Sequence, residues 1–518
     1  MKQADILLCT LNSTYQHASF GLRYLLANLG DLASRAELLE WTIKENPRVI
    51  VERILGYNPK VVGFGVYIWN TTETLEVIST LKKIAPDIKI VLGGPEISYE
   101  TETQAHIKHC DFIIKGEADF SFRKFCEDYL NLGILPSTQV VADDLPDIKS
   151  IVTPYDLYSD EDIKNRVLYV EVSRGCPYKC EYCLSSLDKS VRSFDLAHFL
   201  CEIKTLMDRG ARTFKFVDRT FNLSPTTSCQ ILQFFLEHIE LGLFLHFEMV
   251  PDRLPTEIRD LIQKFPEGSL QFEVGIQTLN PAVAANVSRK NDLVKVEQNF
   301  NFIRTSTKVH THADLIVGLP GETLNSFGEG FDRLAVMGPD EIQVGILKRL
   351  KGTPIARHEK TFKMIYSDYP PYQILSTDTM DYVTLQKMNR FAKFWDLYAN
   401  SGNFKNFMMW FKDQSAANSF FWSFFALSEF LSQSFNETHS LSLLSLSEQA
   451  WLFLKSKDVP KEQAYQIIEK DYCYGAKRRD LPFFLKGNDY TDKHKVTRTL
   501  KNQRQLQHIH SSVDSPKT

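Results

Sequence analysis

The chain has 518 residues, of which 43% are hydrophobic and 24% charged, with a formal net charge of −4. That length calls for two or three domains, and the balance is that of a soluble globular protein with no global reason to bind nucleic acid. Nine cysteines in so long a chain argue against a disulfide framework. The apolar run after Asp5 is too short for a signal or membrane helix, and the aromatic stretch 420–430, broken by Ser423, Ser428 and Glu429, is too short to span a bilayer. No membrane partner is expected, and the expected location is cytoplasmic.

Residues 1–135 alternate short apolar runs with helical patterns. Ala4–Cys9, Lys60–Val66, Lys89–Leu92 and Asp111–Ile114 read as buried strands, and Gly21–Leu29, Thr71–Ile84 and Phe120–Leu132 as helices. The alternation predicts a doubly wound, Rossmann-like parallel sheet, whose ligands sit beyond the carboxyl ends of the strands. Unusual residues gather there: Asn12-Ser13-Thr14-Tyr15-Gln16-His17, Tyr67-Ile68-Trp69-Asn70 and Gly93-Gly94-Pro95-Glu96. Residues 136–165, with Pro136, Asp143, Asp144, Pro146 and Pro154, read as a linker.

Residues 166–355 alternate again. Leu168–Val172, Thr213–Val217, Phe244–Glu248, Leu270–Gly275, Ala313–Val317 and Glu341–Leu347 read as strands. Six βα units predict a partial (β/α)6 TIM-type barrel whose active face is the carboxyl end of the strands. The first strand runs into Gly175-Cys176-Pro177-Tyr178-Lys179-Cys180-Glu181-Tyr182-Cys183. Three thiolates in one short loop suit an iron–sulfur cluster with one iron left open for a small molecule. A zinc knot would need a second arm. Cys201 falls in the next helical stretch, and no Cys/His pair follows at finger spacing. Residues 356–485, rich in aromatics at helical spacing, predict a helical C-terminal domain, and 486–518 a polar, mildly basic, flexible tail.

The CxxxCxxC loop, with the aromatic Tyr182 before the last cysteine and a barrel strand in front, resembles the radical S-adenosylmethionine (SAM) enzymes. The resemblance implies a [4Fe-4S] cluster on Cys176, Cys180 and Cys183, and SAM bound at the open iron and reductively cleaved to a 5′-deoxyadenosyl radical. It also implies an external one-electron reductant of flavodoxin or ferredoxin type. Tyr182 joins the cofactor-binding set. Other segments are similar in order. Asp218, after the second strand, stands where the family holds the SAM amino group, although the family's Gly-Gly-Glu is absent; a helix-capping aspartate is the rival reading. Glu248, ending the third strand, is a candidate for the ribose or the substrate, with a structural ion pair as rival. Gln277 is a cofactor or substrate contact, Arg289 a partner for the methionine carboxylate, and Gly318, in Gly318-Leu319-Pro320-Gly321, lets backbone approach the adenine. Lys348-Arg349-Leu350-Lys351 is expected to present a basic side chain to the substrate.

The N-terminal sheet resembles a cobalamin-binding domain through Val62-Gly63-Phe64-Gly65-Val66 and Ile90-Val91-Leu92-Gly93-Gly94-Pro95, whose paired glycines Gly93 and Gly94 would lie against the cofactor. The Asp-x-His-x-x-Gly cobalt-ligand motif is absent. Asn12 and His17 are the candidates that remain at the first strand's end, His17 competing with a plain interface role. Gly116-Glu117-Ala118-Asp119 resembles a turn late in such domains. Together these segments imply a cobalamin-dependent radical SAM enzyme that methylates or rearranges a small-molecule substrate the sequence does not identify. One alternative is a methylthiotransferase-like enzyme with a second cluster on Cys9, Cys110 and Cys126. A non-enzymatic alternative is a cobalamin sensor with a vestigial barrel. Cys473, in Tyr472-Cys473-Tyr474, reads as structural.

Overall fold

The computed structural model describes residues 3–142, 144–415, 419–435, 441–473 and 480–485. Asp143, Tyr474 and the predicted tail 486–518 lie outside the described residues. The chain divides into two compact units: residues 1–248 with 348–357 and 366–373, and residues 249–347 with 358–365 and 374–518.

The first unit begins with a parallel sheet of six strands: β1 (Ile6–Asn12), β2 (Ala36–Thr42), β3 (Val61–Gly65), β4 (Lys89–Gly93), β5 (Phe112–Lys115) and β6 (Val140–Ala142). Their order is β2-β1-β3-β4-β5-β6, and helices α1 (Phe20–Ala27), α2 (Pro47–Leu55), α3 (Thr71–Ile84) and α4 (Ser121–Leu132) connect them. The central strands are mostly apolar because both faces are covered: Leu7, Cys9, Val62, Phe64 and Ile90 pack in one cluster, Ile6, Leu8, Val61, Val91 and Ile114 in another. Four strands and three helices match the sequence reading. β2 and β6 were not anticipated. They lie at the two ends of the sheet, where the apolar run that marks a buried strand is diluted, as by Glu37 in β2.

Residues 136–165 were expected as a linker, yet they are structured. They hold β6 and a short helix, α5 (Asp160–Asn165), closed by a capping box in which Ser159 and Asp162 each satisfy the other's backbone N–H. They also finish the next strand, β7 (Leu168–Val170). The Tyr155 hydroxyl accepts from Glu171 N and donates to Glu171 O, both at 3.1 Å. The Tyr158 hydroxyl does the same for Tyr169, at 3.1 and 2.8 Å. Two buried phenols thus stand in for a neighbouring strand and satisfy an edge that would otherwise leave polar groups dry.

After β7 come a two-residue strand β8 (Ser173–Arg174), its antiparallel partner β9 (Arg192–Ser193), α6 (Leu196–Asp208), β10 (Thr213–Phe216), α7 (Pro225–Glu237) and β11 (Phe244–Met249). β10 pairs in parallel with β7 and with β11. The second unit carries α8 (Thr256–Ile262), β12 (Leu270–Gln277), α9 (Pro281–Asn286), α10 (Leu293–Ser306), β13 (His310–Val317), α11 (Leu324–Met337) and β14 (Glu341–Ile346), again with parallel strands. β7 and β10–β14 are the six strands of a partial barrel, each within a few residues of its predicted span.

From Tyr382 to Cys473 the described residues of the second unit are mainly helical: α12 (Tyr382–Trp395), α13 (Lys405–Gln414), α14 (Phe420–Ser434), α15 (Leu443–Ser456) and α16 (Lys461–Cys473). The predicted aromatics form its core, with Phe331, Phe391, Trp395, Phe421 and Phe424 in offset or edge contact. Asp471 of α16 caps α13, accepting from Asn406 N and Phe407 N at 2.8 Å. Burial raises the Asp471 carboxyl to about 6, against the lowering effect of these bonds. A carboxyl raised on folding stabilises below its unfolded pKa and loses that contribution as pH rises through the folded one. Denaturant midpoints are therefore expected to fall between pH 4 and 6, and the Asp471→Asn variant to lose that slope. No helix among the described residues is long and apolar enough to cross a membrane.

Candidate active site

The cysteine loop hangs from β7 and is tied at its base. β8 and β9 pair Ser173 with Ser193 and Arg174 with Arg192, and Cys176 N donates to Asp188 O at 2.9 Å. Gly175 makes the entry turn at φ +95°, and a Cβ there would meet Ser190 O at 2.0 Å, so no other residue fits. Within the loop Cys183 N donates to Cys180 O at 3.1 Å. Cys176 and Cys180 are buried and Cys183 half-buried. Burial pushes the Cys176 thiol up, and Cys183 and Cys180 are near enough to push it further. Three thiols gathered in one small loop are the donor set an iron–sulfur cluster takes, so the residues fit the implied group. Tyr182 is half-buried beside them. Glu181, also inside the motif, is 3% exposed; its side chain meets the Arg357 guanidinium and its carbonyl accepts from Ile355 N at 3.0 Å.

Asp218, predicted to receive the SAM ammonium, is committed to the loop's support. Its Oδ2 accepts from Val172 N at 3.0 Å and its Oδ1 from the Ser173 hydroxyl at 2.6 Å. Burial raises it to about 6. These bonds tie Asp218 to the segment between β7 and the cysteines. Glu248 pairs with Arg219 at 2.8 Å, which is the rival ion-pair reading.

A residue the sequence reading missed, Arg174, ties this loop to the N-terminal sheet. Its guanidinium reaches Glu117 at 2.8 Å, Asp119 at 3.0 Å and Glu171 at 2.9 Å, and lies 4.5 Å from the Tyr24 ring centroid. Burial alone would disfavour its charge, but Glu171 and Asp119 outweigh that and hold it protonated. Burial raises Glu171 to about 7 in spite of Arg174. Arg192 adds a second guanidinium to Glu117 and also reaches Asp188 at 3.1 Å. The signal in the sequence was the acidic turn Gly116-Glu117-Ala118-Asp119. Its basic partner, 55 residues away, had no local mark.

Arg174 also lines a cavity of about 210 Å³ on the N-terminal sheet, with Gly63, Gly65, Gly93, Gly94 and Gly116 among the other walls. Here glycine is required by space as well as conformation. Gly94 has φ +101°, and a Cβ on it would lie 2.6 Å from Val66 O. Gly94→Val is expected to lower stability by at least ~1–3 kcal/mol from backbone strain alone, read as a shift of the urea midpoint, and to abolish retention of cobalamin on gel filtration. Asn12 and His17 do not line this cavity. Asn12 Nδ2 donates to Glu40 at 2.9 Å, and His17 Nδ1 lies 2.6 Å from the Tyr169 hydroxyl. Burial, with help from Lys215, holds His17 below its ordinary pKa. Asn12 is thus bonded to β2 and His17 to β7. The basic run after β14 also departs from expectation: Lys351 pairs with Glu96 at 2.7 Å and Arg349 with Glu100 at 3.0 Å. These acids follow Gly94-Pro95, so the two cations fasten a loop of the N-terminal sheet.

In the second unit three predicted residues sit at strand ends. Gln277 closes β12 at φ +71°, at a bulge where the register to β13 shifts, a strained conformation that marks functional strand ends. Arg289 donates to Gly275 O, which sets its guanidinium beside that bulge. Gly318, at φ +88°, turns the chain after β13 where a Cβ would meet Ile374 at 2.8 Å.

Comparison with known proteins agrees with this layout. Residues 6–125 match the B12 binding domain family, 170–334 the radical SAM superfamily, and 360–517 a family described only as a protein of unknown function, DUF4080. An uncharacterized methyltransferase of Pyrococcus horikoshii is 25% identical over 53% of this chain and 63% of its own. The cobalamin-dependent radical SAM methyltransferase TokK of Streptomyces tokunonensis is 24% identical over 58% of this chain and 49% of its own. The chain thus spans about half to under two-thirds of these relatives' lengths. The solved structure of the cobalamin-dependent SAM radical enzyme OxsB, with aqua-cobalamin and SAM bound, superposes with a TM-score of 0.60 over 90% of this chain and 79% of that one, at 14% identity, and shares the fold. A B12-type sheet followed by a radical SAM partial barrel defines the class. The chain carries one region that matches the B12 binding domain family and a following region that matches the radical SAM superfamily, and the cofactors these matches imply are a [4Fe-4S] cluster, SAM and cobalamin.

Proposed function

We propose that this protein is a cobalamin-dependent radical SAM enzyme, and that it transfers a methyl group to a small-molecule substrate. The observation that carries the reading is Arg174: it joins the cysteine loop, two residues from Cys176, to the wall of the glycine-lined cavity. One side chain thus couples the two places where the paired cofactors of such an enzyme would meet. Cys176, Cys180 and Cys183 would hold the cluster, which when reduced supplies the electron that cleaves SAM. Gln277, Arg289 and Gly318 are proposed to contact SAM, with Tyr182 beside the cluster. At about 210 Å³ the cavity is below the ~300–1,000 Å³ of a whole-ligand pocket, so it would take one arm of cobalamin, with Gly93 and Gly94 as the floor. The helical segment after residue 382 would shape the substrate side, and a flavodoxin- or ferredoxin-type protein would donate the electron.

The methylthiotransferase alternative is disfavoured by its own cysteines. Cys9 and Cys110 lie in one hydrophobic cluster of the N-terminal sheet and Cys126 in the other, across the strands. Burial raises the Cys110 and Cys126 thiols to about 12, so they are packed as neutral thiols and do not form a ligand set.

Anaerobic reconstitution with cobalamin, followed by removal of free ligand and counting of iron, sulfide and cobalt, tests the reading. About four irons and one cobalt per chain are expected. About eight irons would restore the two-cluster alternative, and iron without cobalt would remove cobalamin from the proposal. Formation of 5′-deoxyadenosine or S-adenosylhomocysteine under reduction separates an enzyme from a cobalamin sensor.

A further inference from the structure

A second cluster of donors lies in the other unit. β13 opens with His310-Thr311-His312, and residues two apart on a strand share a face. β14 opens with Glu341, opposite His312 in register. The Nε2 atoms of His310 and His312 lie 3.1 Å apart, and Glu341 Oε1 is 3.4 Å from the first and 3.2 Å from the second. The two imidazole side chains are each 11% exposed and the Glu341 side chain is 0% exposed.

These separations have a chemical meaning. Charge-assisted hydrogen bonds between imidazolium and carboxylate settle at ~2.7–2.9 Å, shorter than both histidine–glutamate contacts here. Donors on a tetrahedron with metal bonds of ~2.0–2.1 Å lie about 3.3–3.4 Å from one another, close to the 3.1–3.4 Å found. The far sides of both rings are also furnished. Asp340 Oδ2 is 3.9 Å from His310 Nδ1 and is held by Thr311 N at 2.7 Å and by the Thr311 hydroxyl at 3.0 Å. The Gln271 and Gln343 amides lie 3.2 and 2.9 Å from His312 Nδ1. An amide turned end for end presents its carbonyl to Nδ1–H, the tautomer that frees Nε2 for a metal. Such outer partners orient metal-binding histidines.

We propose that His310, His312 and Glu341 form a second metal site, taking a zinc-type divalent cation with water as the fourth ligand. Two imidazoles and a carboxylate suit such an ion, and the absence of thiolate from the set separates it from iron–sulfur chemistry. The site lies at the amino ends of β13 and β14. Gly318, at the other end of β13, is eight residues on, about 26 Å of strand at ~3.3 Å per residue. The ion would therefore clamp β13 to β14 away from the strand ends proposed for SAM. This inference does not depend on the proposed reaction.

Full-length protein, reconstituted with its cluster and stripped of loose metal by a chelator, is titrated with Zn²⁺ alone. Zinc and iron are then counted separately after gel filtration. One zinc per chain and a higher melting temperature with Zn²⁺ are expected. Glu341→Gln, close to isosteric, and His312→Ala are each expected to lose zinc while keeping the cluster iron. Gln343→Ala, outside the ligand set, is expected to weaken zinc about 10–100-fold. Should Zn²⁺ neither remain bound to the wild-type chain nor move its melting temperature, the trio is a buried hydrogen-bond network and the proposal is wrong. The same holds if Glu341→Gln, folded by its denaturation midpoint, still retains one zinc.

Discussion

Replacing Cys176, Cys180 and Cys183 together by alanine is expected to take iron from about four per chain to background and to abolish reductive cleavage of SAM. The three sulfurs are the only cysteines of the 175–191 loop, and the loop's backbone is held without them, by the β8–β9 pair and by Cys176 N donating to Asp188 O. The fold should therefore survive, with a denaturation midpoint close to that of the cluster-free wild type. Cys201→Ala and Cys473→Ala serve as controls and should keep their iron. Retention of SAM cleavage by the triple variant would refute the assignment of the cluster.

Arg174→Ala is expected to have the largest effect on stability of any single change in the site. It removes one guanidinium from among Glu117, Asp119 and Glu171, with side chains 22%, 5% and 9% exposed. Breaking a buried pair by removing one partner costs ~3–5 kcal/mol, because the stranded charge stays desolvated. Lysine should rescue only in part, since a single ammonium does not reproduce a fork that spans three carboxylates. The loss should depend on pH. Glu171, ordinarily near 4.5, is at about 7 in the folded chain, and losing Arg174 raises it further. A raised carboxyl stabilises below its unfolded pKa and loses that contribution as pH climbs through its folded value. The gap between variant and wild-type urea midpoints should hence widen from pH 5 to pH 8. Iron and cobalt retention should both fall, since Arg174 touches the two sites. A variant that loses neither stability nor cobalt would show that the coupling is dispensable.

Where an element is buried on both sides, its sequence was enough to find it. The central strands of both sheets lie within a few residues of their predicted spans because a covered strand is rich in apolar residues. The cysteine loop was legible because its chemistry needs three like residues close together in the chain. The edge strands β2 and β6 were not, since β2 carries Glu37 and also Glu40, which is buried against Arg23 and Arg166. Residues 136–165 looked like a linker by composition, yet Tyr155 and Tyr158 there finish the edge of β7. Nothing local to a tyrosine records which strand its hydroxyl will meet.

By itself the sequence displayed the alternation of strands and helices, the three-cysteine loop proposed to hold the cluster, and the paired glycines of the N-terminal sheet. Those features depend on residue type and short spacing, which a linear chain displays. Only the tertiary structure decided which charged groups face one another. Asp218 meets Val172 N and the Ser173 hydroxyl, Lys351 and Arg349 meet Glu96 and Glu100, and Arg174 meets Glu117 and Asp119. The reason is electrostatic. A charge in water has no preferred partner, but one withdrawn from water needs an opposite charge or donors within about 3 Å. In a fold of this size those partners lie tens to hundreds of residues away along the chain.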